Sequence, residues 1–389
     1  MELDRQYLFH APTRVIFGFG TVGTLGRELA ALGGRHALVV TDPGVVRAGL
    51  LDGVLASAAA AECRTTVFDQ VEPNPSVETV EAAIAAYREH GCDALVAIGG
   101  GSPMDVAKAA GTVISNGGGI RDYEGKPDAV RAALPPFICI PTTCGTGAEV
   151  TPFAVITDHA RSWKMSIVSP RTIPAVAIVD PELFLGLPPA LIAATGMDAL
   201  THAIESYINR IAQPFSDALD LQAIRLIGRS LRPAVANANK AAIADMAIAA
   251  TLAGMGFAQN RLGIVHAISH PVTSYVGTPH GVANAILLPY VLEYNAIGCG
   301  DRLIDVAIAL DGAATPPTPQ SAIVAVRRLS ADVGIPATLG AVGVRDEHVE
   351  NIATDAMKSG NITINPRRVT RDDVLGVIRH ALTGARATT

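Results

Sequence analysis

Three of the chain's ten histidines lie in one short, largely apolar stretch, GIVHAISHPVTSYVGTPHG, which runs from Gly263 to Gly281. His266 and His270 are four residues apart, so on a helix they point to nearly the same side. His280 follows ten residues later, after a glycine and a proline that we expect to turn the chain. Separate buried imidazoles would each need a hydrogen-bonding partner, whereas one metal ion satisfies several of them together. The stretch therefore favours a metal site.

A second segment, TGMDALTHAIESY at 195–207, offers candidate ligands from another predicted helix. Asp198 and His202 are again four residues apart and have apolar neighbours. A carboxylate near a helix start also suits the helix dipole, but that explanation does not account for a histidine in the middle of the helix. The candidate metal ligands are Asp198, His202, His266 and His280.

One carboxylate and three imidazoles suit Fe(II) or Zn(II), and the ligand types do not separate the two metals. The set lacks a thiolate and is therefore less typical of a structural zinc site. Four protein ligands still leave a labile position on iron for a substrate oxygen. His270 remains beside the metal and is a candidate to carry a proton to or from that oxygen.

Two glycine-containing segments compete as the site of a nucleotide. GFGTVG at 18–23 matches the G-x-G-x-x-G dinucleotide pattern, but the pattern is weak in a chain with 37 glycines. AIGGGSPMDVAK at 97–108 places three consecutive glycines between an apolar strand and a predicted helix. Glycine amides and a helix N-terminus together bind anions, so we favour this second segment for a pyrophosphate. The alternative is a tight turn without a ligand.

A third polar segment, PTTCGTGAEVT at 141–151, follows another predicted strand. Its threonine hydroxyls suit a ribose or phosphate, and the alternative is an ordinary turn. Asp42 ends the strand-like run VVTD. Nucleotides bind at the carboxyl ends of parallel strands, and a carboxylate there favours NAD over NADP because it repels a 2′-phosphate.

The elements that must position these residues change character along the chain. Short β-rich runs alternate with helix-length segments as far as about Asp180, which indicates a parallel sheet with helices on its faces. After Leu187, Ala, Leu and Ile recur at three-to-four spacing, which is typical of helices. We therefore predict a Rossmann-like α/β dinucleotide-binding domain over 1–187 and an all-helical, metal-binding and catalytic domain over 188–389.

Composition narrows the class of protein. The 389 residues are 49% hydrophobic and carry a net charge of -6 with no basic run, which argues for large cores and against nucleic acid as a partner. The five scattered cysteines suit a reducing compartment. We see neither a secretory pattern nor an uninterrupted apolar run of about 18 residues, so we expect a cytoplasmic protein without a membrane partner.

The motifs together resemble the iron-containing (group III, metal-dependent) alcohol dehydrogenase family. The matching stretches are GGGSPMDVAK, PTTCGTGAEVT, PPALIAATGMDALTHAIESY and VHAISHPVTSYVGTPHGVANAILLP. The resemblance implies that the four candidate ligands hold the metal and that His270 relays a proton. It implies cofactor contacts from Asp42, Asn74, Gly99, Gly100, Gly101, Ser102, Asp105, Thr142, Thr143, Thr146 and Lys164. It also implies a substrate pocket that includes Phe153, Phe257, Leu262 and Asn361.

The resemblance further implies an activity. Hydride would pass between NAD(H) and a small primary alcohol or aldehyde bound to Fe(II), or to Zn(II), in a cleft between the domains of a homodimer or a multiple of dimers. Arg261 stands where the family commonly has small residues; we favour a surface arginine, but an inward arginine would indicate an anionic aldehyde. A metal-dependent lyase or hydrolase on the same dehydroquinate synthase-like fold is an alternative. A nucleotide-binding module without catalysis is another, but it leaves the four ligands unexplained.

Overall fold

The structure, a computed structural model, describes residues 5–161, 163–312 and 316–384. The chain forms two compact units. One is Ala11–Gly186, and the other is the chain from Leu187 onward together with the described residues before Ala11. The predicted domains divided the chain within one residue of this boundary but assigned the N-terminal residues to the α/β part. Arg5 donates to the carbonyls of Arg210 and Ile211, which explains the different grouping.

The unit Ala11–Gly186 is built on a sheet of six parallel strands in the order β1-β8-β5-β4-β2-β3. A separate antiparallel pair is formed by β6 and β7. Val, Ile and Leu dominate the central strands, as expected for strands buried on both faces. The strands are β1 (Arg14–Phe17), β2 (His36–Val40), β3 (Arg64–Phe68), β4 (Ala94–Gly99), β5 (Phe137–Pro141), β6 (Phe153–Asp158), β7 (Trp163–Val168) and β8 (Val176–Val179).

Helices cover the sheet. Alternate residues of a strand point to opposite faces, and Leu95 and Ala97 of β4 join a core with α4 and α5. Val96 and Ile98 are equally buried and point to the other face. The helices of this unit are α1 (Leu25–Ala31), α2 (Pro43–Arg47), α3 (Leu51–Ala60), α4 (Val77–Glu89) and α5 (Gly101–Asn116).

The unit from Leu187 onward is helical throughout its described regular elements. Its central helices are rich in alanine, which lets them pack closely around one another. The helices are α6 (Pro189–Ile208), α7 (Pro214–Asn237), α8 (Lys240–Asn260), α9 (Ile264–Val276), α10 (His280–Asp311), α11 (Pro319–Asp332), α12 (Asp346–Ala356) and α13 (Arg371–Thr383). A parallel-sheet region followed by a helical region confirms the predicted fold class.

Two of these helices, α8 and α10, are long and apolar enough to cross a membrane by length and composition alone. The sequence analysis expected no such segment. Within their most apolar windows, 61% and 67% of the residues are buried inside the protein, as in core helices. Because core helices pass the same test, this is weak evidence for a membrane span. Helix α10 also departs from helical geometry at Cys299.

Candidate metal centre and nucleotide loops

The four predicted metal ligands converge on one point. Helix α6 carries Asp198 and His202, α9 carries His266, and α10 begins at His280. The Oδ1 atom of Asp198 lies 3.9 Å from the Nε2 of His202 and 3.9 Å from the Nε2 of His266. It lies 4.0 Å from the Nε2 of His280. Separations of this size suit ligand atoms that share one ion, since metal–ligand distances are about 2.0–2.2 Å.

A glycine allows the third helix to come close enough. At Gly281, an added Cβ would lie 2.3 Å from the carbonyl oxygen of Ala194 and 3.2 Å from the Cβ of Asp198. Only a residue without a side chain permits this approach of α10 to α6. The motif PHG therefore does two things: it begins the helix and places His280 beside Asp198.

The donor set fits a metal cation. Among the protein's own groups, the Nδ2 of Asn284 lies at the point of convergence, donating to Asp198 Oδ1 at 2.7 Å. It lies 3.0 Å from the Nε2 of His266 and 3.0 Å from the Nε2 of His280. The Oδ1 of the same amide is buried and has no hydrogen-bond partner among the described residues. Acceptors from three helices therefore face a positively polarised group, which is what a divalent metal also requires.

Protonation supports the same conclusion. Burial lowers the pKa of His266 well below its ordinary value, and the neighbouring His202, His280 and His270 lower it further. His266 is therefore neutral near pH 7. A neutral imidazole presents a lone pair, which is the form that binds metals.

A second buried carboxylate lies behind His266. The Oε2 of Glu205, on α6, is 2.6 Å from the Nδ1 of His266. Burial raises the pKa of Glu205 to about 7, while hydrogen bonds from backbone N–H groups at Gly263, Val265 and His266 oppose the rise. Because the carboxylate accepts from Nδ1, the Nε2 of His266 is left as the ligand atom.

His270 lies beside the ligand cluster. Its ring centroid is 5.2 Å from that of His280 and 6.0 Å from that of His266. The side chain is half-buried. This position suits the proton relay inferred from the sequence, and the relay itself stays a prediction.

The favoured glycine loop joins β4 to α5. Gly99 has a φ of +147°, and an added Cβ would lie 2.7 Å from Pro103, so the loop requires glycine there. Its carbonyl accepts from the N–H of Thr142 at 2.9 Å, which aligns the loop with the segment after β5. Gly101 and the half-buried Ser102 open α5, and no side chain caps this described helix. Its first N–H groups remain suited to an anion.

The second predicted nucleotide loop packs directly against the first. A Cβ added at Gly100 would lie 3.3 Å from Oγ1 of Thr143, and one at Gly101 would lie 3.2 Å from Cγ2 of Thr146. Both glycines therefore leave space that the threonine side chains border. The two loops form one surface at the carboxyl ends of β4 and β5.

Asp42 lies at the same edge of the sheet but has a structural task as well. Its Oδ1 accepts from the N–H groups of Gly44 at 2.7 Å and Val45 at 3.1 Å, capping α2. Its Oδ2 lies 3.1 Å from the position of a Cβ at Gly99. One carboxylate oxygen thus fixes the helix, and the other faces the glycine loop.

Three further predicted cofactor residues form a group of their own. Lys164 Nζ donates to the Oδ1 of Asn74 at 2.8 Å. Burial raises the pKa of Asp105 to about 7, and nearby Lys108 and Lys164 oppose the rise. Burial lowers the pKa of Lys164, and Asp105 opposes this change. The structure brings the three predicted residues together; their contact with a cofactor stays a prediction.

The competing motif at 18–23 is already engaged. The N–H groups of Gly20 and Val22 donate to the two carboxylate oxygens of buried Asp180, at 3.1 and 2.9 Å. Because these N–H groups already donate to Asp180, they are not available to bind an external anion. The finding supports the preference for the loop at 97–108.

The predicted pocket residues differ in where they lie. Phe257 stacks on the predicted metal ligand His202 with ring centroids 4.5 Å apart, so it borders the candidate metal centre. Leu262 and Asn361 are half-buried in the same compact unit. Phe153 belongs to the other unit, where its carbonyl accepts from Lys108 at 2.9 Å. The pocket as a whole stays a prediction.

Three residues of these sites were not predicted from the sequence. Glu205 is three positions after His202 in an apolar helix, and Asn284 is four after His280; both spacings return to the same helix face. Lys108 is fully buried, and its Nζ donates to the carbonyls of Ala148 and Thr151 at 2.6 and 2.8 Å. It ties α5 to the second loop itself. Each is a polar residue among apolar neighbours, and this pattern in the sequence could have identified it as a candidate site residue.

Comparison with known proteins agrees with this geometry. Residues 12–181 match the family described as iron-containing alcohol dehydrogenase, and residues 192–382 match the C-terminal part of that family. Lactaldehyde reductase of Escherichia coli is 42% identical over 365 residues, covering 92% of this chain and 95% of that protein. NAD-dependent methanol dehydrogenase of Bacillus methanolicus is 39% identical over 379 residues, covering 96% and 99%.

A solved structure is also similar. The crystal structure of a 1,3-propanediol oxidoreductase matches with a TM-score of 0.95 and 40% sequence identity, covering 97% of this chain and all of that chain. The matches extend over both compact units, and the resemblance inferred from the motifs is confirmed. The chain belongs to the iron-containing alcohol dehydrogenase family.

Proposed function

We propose that this protein is an NAD(H)- and metal-dependent alcohol dehydrogenase that interconverts small primary alcohols and aldehydes. The observation that carries the proposal is that the Nε2 atoms of His202, His266 and His280 lie within 3.9–4.0 Å of the Oδ1 of Asp198. Three imidazoles and one carboxylate suit Fe(II), and Zn(II) fits the same set. Family membership supports the redox chemistry over a lyase or hydrolase reaction on the same fold.

The chain's residues divide the chemical work. When bound, the metal supplies positive charge that polarises a carbonyl oxygen, and the nicotinamide supplies or accepts the hydride. Phe257 covers one face of His202 and keeps that side of the centre apolar. His270 stands beside the cluster, where it can give a proton to the product oxygen or take one from the alcohol. The glycine and threonine loops hold the pyrophosphate and ribose, and Asp42 selects NAD.

The test is NADH oxidation by anaerobically prepared protein with a panel of small aldehydes. Fe(II)-loaded, Zn(II)-loaded and metal-free samples are compared, with bound metal measured in each. We expect turnover that follows the iron content and is absent from the metal-free sample. NADH binding without turnover in any metal form would overturn the redox assignment and favour the lyase, hydrolase or nucleotide-binding alternatives.

A second candidate substrate class rests on Arg261. Its backbone has φ +61° and ψ -165°, a conformation that non-glycine residues adopt only under strain. The amide of Asn209 holds it there by donating to the carbonyls of Asn260 and Arg261. Arg261 is exposed, as expected for a surface arginine, and its guanidinium lies against Gly360, where an added Cβ would be 2.6 Å from Nη2. Because Arg261 directly precedes the predicted pocket residue Leu262 in the chain, its charge keeps a small aldehyde with a distal anionic group as a second candidate.

The comparison that tests it is kcat/KM for a neutral aldehyde and for an aldehyde carboxylate of similar length. We expect Arg261→Ala to lower kcat/KM for the anionic substrate at least tenfold. The kcat/KM for the neutral substrate should stay within twofold of that of the unaltered protein. Arg261→Lys, which keeps the charge, serves as the matched variant. Equal changes for both substrates would contradict a role in anion recognition.

We also propose that the protein is cytoplasmic and forms a homodimer or a multiple of dimers. The cysteines support the location: all five are buried, and none forms a disulfide among the described residues. Size-exclusion chromatography with light scattering checks the assembly, and a monomer at micromolar concentration would contradict it.

A further inference from the structure

Glu205 makes contacts that exceed those of an ordinary buried acid. It is 1% exposed and lies on α6, less than one turn after His202. Its Oε1 accepts from the backbone N–H of Val265 at 2.6 Å. Its Oε2 lies 2.6 Å from the Nδ1 of His266 and accepts from the N–H of the same residue at 3.4 Å. One carboxylate therefore holds both the backbone and the side chain of a metal-ligand residue.

The start of α9 depends on this carboxylate. Gly263 precedes the helix and offers no side chain to cap it, so the first N–H groups need an acceptor from elsewhere. An added Cβ at Gly263 would lie 2.7 Å from Oε1 of Glu205. The glycine thus makes the room that the carboxylate occupies.

We propose that Glu205 is a positioning residue for the metal centre, a role that rests on the proposed function. By accepting from Nδ1, it fixes the tautomer of His266 and turns Nε2 toward Asp198. By accepting from the N–H groups of α9, it also fixes the distance between α6, which carries two ligands, and α9, which carries one. Outer carboxylates of this kind raise the basicity of a ligating imidazole, and their loss typically weakens metal binding 10–100-fold.

A rotation of the imidazole shows why the tautomer matters. If the ring of His266 turned over, Nδ1 with its hydrogen would face the other ligands and could not bind a cation. The strong, charge-assisted hydrogen bond to Glu205 opposes that rotation. Backbone capping alone would not require the contact to Nδ1.

The experiment compares Glu205→Gln and Glu205→Asp with the matched control Asp220→Asn. Asp220 is also fully buried in this helical unit and accepts from Ser206 at 2.6 Å, but it is not hydrogen-bonded to a metal-ligand residue. For each protein we would measure Co(II) affinity by chelator competition, the Co(II) d–d absorption spectrum, NADH affinity and Tm. Glutamine keeps the size of the side chain and removes its charge, and aspartate keeps the charge and shortens the reach.

We expect Glu205→Gln to bind Co(II) about 10–100-fold more weakly, with an altered d–d spectrum and unchanged NADH affinity. Glu205→Asp should recover part of the loss, and Asp220→Asn should bind Co(II) as the unaltered protein does. Co(II) affinity within threefold of the unaltered protein and an unchanged spectrum in folded Glu205→Gln would overturn the inference. Failure of the unaltered protein and the control to bind Co(II) would instead overturn the proposed function.

Discussion

Two helices of this protein, α5 and α9, begin in the same way, but their first N–H groups differ in what accepts from them. Both α5 and α9 follow a glycine with extended backbone, Gly100 and Gly263, and neither is capped by that residue. At α9, Glu205 from another helix accepts from the first N–H groups. At α5, the described structure provides no side-chain cap. A helix start without its own cap thus marks either an internal clamp or an anion site, and long-range partners decide which.

The region at 18–23 is a third case that strengthens this comparison. Its sequence fits the dinucleotide pattern, yet Asp180 occupies the N–H groups of Gly20 and Val22. Asp180 is about 160 residues away along the chain, so no local sequence pattern could predict that it accepts from these N–H groups. The loop at 97–108 differs: Asp42 faces it, but within the part of the chain that the structure describes no side chain caps the N–H groups that begin α5.

The largest effect is expected when the start of α5 is made to resemble that of α9. Gly101→Asp places a carboxylate beside the N–H groups that we propose bind the pyrophosphate. The negative charge of this carboxylate repels the negatively charged pyrophosphate. We expect NADH affinity to fall about 100-fold or more, with Co(II) affinity within twofold. Isothermal titration with each ligand measures both. Gly101→Ala, which adds only a methyl near Thr146, is the matched control, and equal losses in both variants would show that crowding, not charge, is responsible.

A smaller effect should follow when the clamp at α9 is disturbed without removing it. Gly263→Ala puts a methyl carbon 2.7 Å from Oε1 of Glu205, so the carboxylate must shift. We expect Co(II) affinity to fall about tenfold, with NADH affinity unchanged. Chelator competition measures the change. A change in NADH affinity with unchanged Co(II) affinity would contradict the separate roles of the two helix starts, metal positioning at α9 and pyrophosphate binding at α5.

Loss of the internal partner at 18–23 should affect stability and not binding. Asp180→Asn removes a charged acceptor from the N–H groups of Gly20 and Val22, and we expect a loss of about 1–3 kcal/mol in the free energy of unfolding. Chemical denaturation measures it. NADH affinity should stay within twofold. A tenfold change would return the pyrophosphate to the motif at 18–23.

The smallest expected effect concerns Asp220, a buried carboxylic acid that accepts fewer hydrogen bonds than Glu205. The effect is on how the free energy of unfolding depends on pH. Burial raises the pKa of Asp220 well above its ordinary value, and Ser206 and Arg302 oppose the rise. The folded protein therefore holds this proton more tightly than the unfolded chain does. The contribution of Asp220 to the free energy of unfolding is greatest below the unfolded pKa of about 3.9 and declines as the pH rises above it.

Asp220→Asn does not titrate, so its free energy of unfolding should decline less between pH 4 and 8. Urea denaturation across this range should show the variant gaining on the unaltered protein as the pH rises. A stability difference between the two proteins that is constant with pH, or a variant that loses stability relative to the unaltered protein as the pH rises, would contradict a raised pKa for Asp220.

Much of the fold and the metal centre could be predicted because periodicity and residue type act locally. The apolar strands, the alanine-rich helices and the spacing of His202 and His266 with their partners were all visible in the sequence. The hydrogen bond between Glu205 and His266 spans 61 residues and depends on how α6 and α9 pack. The same holds for the grouping of residues 5–10 with the helices, which depends on carbonyls near residue 210.

The most direct test of the central claim compares the unaltered protein with His266→Ala, each with its iron content and NADH affinity measured beside its rate of NADH oxidation. We predict that His266→Ala binds little iron and shows no turnover, while its NADH affinity stays within twofold of that of the unaltered protein. Iron binding and turnover equal to those of the unaltered protein would contradict the metal centre proposed here.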